Sequence, residues 1–87
     1  MEEDKNNTQE DRETYEEICR VVKLIQKHSG ATPSIIKDDE GKLNRLRWHV
    51  GFVSLSDILF LASVARTVSD MKLKRSGTGI IVTIDVF

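Results

Sequence analysis

The chain predicts an α+β fold: a two-layer α-β-β-α-β domain, with helices packed on one face of a small, mostly antiparallel three-stranded sheet. Three observations predict it. An apolar spacing of three and four residues follows a helix-capping signal near residue 14. A stretch from Lys42 to Val53 then alternates with period two. A second apolar arc follows, and the last eight residues alternate again.

The first helix is expected over residues 14–28. Thr14 and Glu17 fit a capping box, with acids filling the first turn. Tyr15, Ile18, Val22 and Ile25 repeat at helical spacing, and Cys19 and Val21 widen the stripe. Lys27 and His28 suit the C-terminal end, Gly30 suits a left-handed cap, and Pro33 forbids resumption. A hairpin comes next, with Ser34–Lys37 as a short strand and Asp38-Asp39-Glu40-Gly41 as turn chemistry.

On the following strand Leu46, Trp48, Val50 and Phe52 share one face, while Arg45, Arg47 and His49 share the other. One apolar and one basic face mean a half-buried antiparallel strand. It is about twice as long as its hairpin partner, so its second half needs the last strand or a second subunit as neighbour. A one-residue slip would expose Trp48 and bury arginines, at the cost of desolvating charge.

Ser54 and Asp57 are spaced to cap a second helix, expected to reach about Met71. Phe60, Leu61, Val64, Val68 and Met71, with Ile58, Ala62 and Ala65, cover an arc of roughly 200°, wider than an ordinary surface stripe. Such an arc calls for cover from two directions. Gly77-Thr78-Gly79 turns the chain into the last strand, where Ile80, Val82, Ile84 and Val86 oppose Ile81, Thr83, Asp85 and Phe87. If the second and third strands run parallel, their helical connection is a right-handed crossover.

Charge is divided along the chain. Residues 1–17 hold eight acids against two cations, net −6, and residues 18–87 hold eleven cations against six acids, net +5. Residues 1–12 are expected to form a flexible acidic lead and residues 13–87 a single domain. The lead could return over the basic body and compete with its ligand. Cys19 is the one cysteine, so no disulfide within the chain can support the core, and a single thiol suits a reducing, cytoplasmic setting. The longest apolar stretch, Ile58–Ala65, is far short of a membrane span.

Enzymatic chemistry has little to rest on. His28 and His49 stand without metal-ligand spacing, Cys19 reads as packing, and Asp38-Asp39-Glu40 lacks calcium-loop spacing. No cofactor, metal site or catalytic residue is therefore expected. The Lys72-Leu73-Lys74-Arg75-Ser76-Gly77-Thr78-Gly79 run joins cations to glycines, but it lacks the order of a P-loop. The helix–hairpin–helix–strand order resembles that of pterin carbinolamine dehydratases. Their paired-histidine-proline signature belongs near the end of the second helix, where this chain has Ser69-Asp70-Met71-Lys72-Leu73-Lys74. The resemblance is one of topology, and the activity is not carried over.

The expected function is a binding module for a polyanion, with nucleic acid first and an acidic protein as another partner. Arg45, Arg47 and His49 on the open strand face, together with Lys72, Lys74 and Arg75 in the loop between the second helix and the last strand, would meet phosphates. Phe87 would offer a stacking ring. The alternative is a protein-interaction adaptor acting through a sheet edge or through the second helix at Phe60, Val64 and Met71. Unpaired strand edges and the wide second helix favour a homodimer.

Overall fold

The computed structural model describes the backbone of residues 2–87 and the side chains from Tyr15 onward. The first helix, expected over residues 14–28, begins instead at Glu2, so Thr14 and Glu17 lie within it and not at its start; the acidic lead's return over the basic body lies outside the described side chains. The order of elements is α1 (Glu2–Ser29), β1 (Ser34–Lys37), β2 (Leu43–Val50), α2 (Leu55–Ala65), β3 (Asp70–Ser76) and β4 (Gly79–Asp85). The α+β class holds, but the sheet has four strands rather than three. Their order is β1-β2-β4-β3, every neighbouring pair is antiparallel, and there is no parallel crossover.

The extra strand comes from residues expected to finish the second helix. That helix stops at Ala65, because Thr67 closes the last turn: its amide and hydroxyl both donate to the Val64 carbonyl at 2.9 Å. The chain is then captured by the sheet. The Ser69 amide and hydroxyl both donate to the Asp85 carbonyl, at 2.9 and 3.0 Å. Thr67 and Val68 are β-branched and give up little helical preference here. Asp70–Ser76 then pairs along the whole of β4. The loop between them is two residues, Gly77-Thr78, with Gly77 at φ +61°. Positive φ at the first central position is the hairpin geometry that a glycine supplies.

The long β2 finds its second neighbour within the chain. It pairs with β1 through Leu43–Arg47 and with β4 through Arg45–Val50. It ends at Val50, so Phe52 leaves the apolar face on which it was expected and stands 82% exposed. The hairpin tip explains the ending. A methyl group on Gly79 would lie 1.8 Å from the Val50 carbonyl oxygen and 2.6 Å from that of Gly51. Thr78 Oγ1 also donates to the Gly51 carbonyl at 3.1 Å.

The core lies between the sheet and both helices. Ile18, Val21 and Ile25 of α1 and Leu61 and Val64 of α2 bury against Leu46, Trp48, Val82, Ile84 and Val86. The α1 end caps as expected, with the Gly30 amide donating to Gln26 O at 2.8 Å and Gly30 at φ +74°. At α2, Ser54 and Asp57 form a reciprocal capping box. Asp57 also joins the helices. Its Oδ1 lies 2.9 Å from His28 Nε2, and the His28 ring stacks on Phe60 with centroids 4.2 Å apart.

Candidate polyanion-binding face

One side of the sheet bears the helices, and the other is open. Register decides which side chains share the open side, because residues directly opposite in paired strands point the same way. Arg47 faces Thr83, which faces Lys72; His49 faces Ile81, which faces Lys74. These two rows place Arg47, His49, Lys72 and Lys74 at the corners of a rectangle three strands wide. Strand spacing of about 4.8 Å and an i,i+2 repeat of about 6.7 Å make that rectangle roughly 10 by 7 Å. Thr83 and Ile81 occupy its centre.

A third row has the opposite character. Arg45 faces Asp85, which faces Asp70. Arg45 Nε donates to Asp85 Oδ1 at 2.7 Å, a second nitrogen reaches Oδ2 at 3.5 Å, and Asp39 lies 3.7 Å away. The Asp85 carboxylate holds the Arg45 guanidinium above its ordinary pKa, and its side chain is only 19% exposed. Arg45 is therefore neutralised within the fold.

Arg47 differs. Its Nε donates to Thr83 Oγ1 at 3.3 Å, which steadies the guanidinium without cancelling its charge. Among the described residues no carboxylate pairs with Arg47, Lys72 or Lys74. All three are exposed.

The remaining residues singled out from the sequence scatter. Lys72, Lys74 and Arg75 are not in a helix-to-strand loop but on β3. Alternation sends Lys72 and Lys74 to the open face and Arg75, opposite Ile80, to the helix side. Phe87 joins the acidic end. Its amide donates to Asn44 Oδ1 at 3.0 Å, and Asn44 Nδ2 donates back to its carbonyl at 3.2 Å. It borders a cleft of about 440 Å³ together with Asp38, Asp39, Glu40, Arg45 and Asp85. Asp38 already serves the turn: Oδ1 accepts the Lys42 and Glu40 amides, which hold its carboxyl below the usual range. Among the described residues no group of three or more histidine, cysteine, aspartate or glutamate side chains could hold a metal ion.

The residues expected to meet a protein partner are committed elsewhere. Val64 is in the core, Phe60 lies half-buried under His28, and Met71 sits half-buried on β3. Sequence reasoning missed Asn44, a buried amide that ties β2 to the chain after β4. It also missed Thr83 as the orienter of Arg47. An asparagine at an inward-facing position of a strand was the available signal for the first.

Comparison with known proteins supplies no analogue: no family model, curated protein or solved structure matches this chain. Among the described residues no helix is long and apolar enough to cross a membrane.

Proposed function

We propose that the protein is a small non-enzymatic binding module whose open sheet face contacts a polyanion, nucleic acid first. It works in this reading as a cytoplasmic homodimer. One observation carries the proposal. Arg47, Lys72 and Lys74 share a face and lack acidic partners among the described residues, while the neighbouring Arg45 is neutralised by Asp85. Cations serving only solubility need no common face, and those serving the fold find partners, as Arg45 does. Here three of them border Thr83 and Ile81, a hydroxyl and an apolar surface against which a sugar or base can lie. Phosphate contacts of this kind bind with weak sequence preference and strong salt dependence.

The test is fluorescence anisotropy of labelled single- and double-stranded oligonucleotides with the full chain across a salt series. Three phosphate contacts give a log–log salt slope of about −2 for single strands and about −2.7 for duplex. Arg47→Glu with Lys72→Glu should abolish binding. Absence of binding at low salt ends the nucleic-acid reading, and an acidic protein becomes the partner to seek.

A second reading, a protein-interaction adaptor, draws on the exposed apolar surface of α2, where Leu55, Ile58 and Leu59 are 71%, 53% and 63% exposed. Charge reversal on the sheet would leave such an interaction intact.

A further inference from the structure

The solvent side of α2 carries a large apolar stripe of its own. At 100° per residue, the buried Leu61 and Val64 and the capping Asp57 mark the inward direction. Leu55, Leu59 and Ala62 fall on the outward one, Ile58 and Ala65 lie along its flank, and all five are exposed. No charged residue interrupts this stripe before Arg66, at the C-cap. Just ahead of the N-cap, Phe52 is 82% exposed. A helix that is apolar all round is normally covered all round. Taking about 200 Å² for a large apolar residue, Phe52, Leu55, Ile58, Leu59 and the two alanines expose roughly 600 Å².

The order of sizes along the stripe indicates what covers it. Its large members, Leu55, Ile58 and Leu59, lie in the first half of the helix, and its small members, Ala62 and Ala65, lie in the second. Reversing the helix by a twofold rotation lays the large half of one copy on the small half of the other. Ala62 then provides the floor that receives Ile58 and Leu59 of its mate. A self-complementary patch is the requirement of an isologous interface. Antiparallel helices also oppose their dipoles favourably. The exposed apolar area is about three-quarters of the roughly 800 Å² that each partner contributes to a standard interface, and a rim from Ser56 and Ser63 supplies more, with Arg66 closing the stripe at its C-terminal end.

We infer that the partner of this surface is a second copy of the same chain, with α2 packed antiparallel on α2 about a twofold axis near Leu59 and Ala62. The cationic sheet face lies on the opposite side of the sheet from the helices. Pairing through α2 therefore leaves both cationic faces outward and free. The pairing stands independently of what those faces bind.

Sedimentation equilibrium of the full chain tests this directly, up to about 200 µM protein. The expected mass is twice the 9.9 kDa of one chain. Leu59→Lys and Ala62→Glu place charge at the centre of the contact and should each weaken association about thirty-fold or more, with unchanged circular dichroism. Two substitutions guard against one of them failing to fold. Leu73→Lys, on the helix side of edge strand β3 and 55% exposed, should leave the dimer intact. A single-chain mass at the highest concentration overturns the inference. So does a dimer that survives both α2 substitutions, or one that dissociates with Leu73→Lys instead. Species larger than two copies would mean a head-to-tail contact and would also overturn it.

Discussion

The two faces of the sheet are built by the same strands in the same register, yet they treat charge in opposite ways. On the helix side, Leu46, Val82 and Ile84 are fully buried, and the acid in the first turn of α2, Asp57, is held by Ser54 and His28. On the open side one row, Arg45–Asp85, is internally neutralised, while the next two rows leave Arg47, Lys72 and Lys74 without acidic partners among the described residues. Period-two alternation makes such a division available to every half-buried sheet. What it does not dictate is that the cations gather at one end and the acids at the other. That segregation separates a candidate binding surface from a merely solvated one.

Substitutions should separate the faces cleanly, and the largest effect is expected in the core. Ile84→Ala removes a fully buried side chain where three strands and the helices meet, and should cost about 2–5 kcal/mol in urea unfolding. A loss below 1 kcal/mol would mean that the helix side is not packed as described. Gly79→Ala comes next. Its methyl group cannot coexist with the Val50 carbonyl, so the β3–β4 hairpin must shift, at about 1–3 kcal/mol by the same measurement. On the open face the readout changes from stability to binding. Lys72→Ala and Lys74→Ala should alter stability by less than about 0.5 kcal/mol. Each should also reduce the magnitude of the salt slope of oligonucleotide binding by nearly one. Arg45→Ala should leave that slope unchanged, because its charge is already neutralised by Asp85. If Arg45 proves as important as Lys72, the division of the open face is wrong.

How far this arrangement can be read from sequence depends on which interaction decides each element. The parity of β2 and β4 was legible because burial enforces it: a slip by one residue would bury Arg45 and Arg47. The α2 capping box and the Gly30 cap were legible because they are local. β3 was not. Val64, Val68 and Met71 keep helical spacing past Ala65, and no glycine or proline interrupts them. Thr67 closes the last turn locally, but what carries the chain on into a strand is nonlocal, the pairing of Ser69 with the Asp85 carbonyl. That one boundary moved Lys72 and Lys74 from a loop onto a strand, and so placed them beside Arg47. It also sent Arg75 to the other side. The cations were visible in the sequence; their meeting was not. The same holds for α2, whose wide apolar arc was visible although its exposed half could not be told from its buried half without the positions of Leu61 and Val64.

The smallest effect expected is also the one that compares the two faces through pH. Asp57 is held below the ordinary carboxylate pKa, first by the Ser54 amide and then by His28 and the Ser54 hydroxyl. A folded-state pKa below the unfolded one contributes stability that is present above the unfolded value, near pH 4, and is lost as pH falls through the folded value. Asp38 contributes with the same sign from its turn. Urea midpoints should therefore fall in wild-type protein below about pH 4. Asp57→Asn should lower the midpoint at pH 7 and flatten the acid decline. Lys72→Ala, on the open face, should leave the shape of the decline as it is. An acid decline as steep in Asp57→Asn as in wild type would show that the helix junction does not depend on the charge of Asp57. The capping hydrogen bonds would then act through geometry alone.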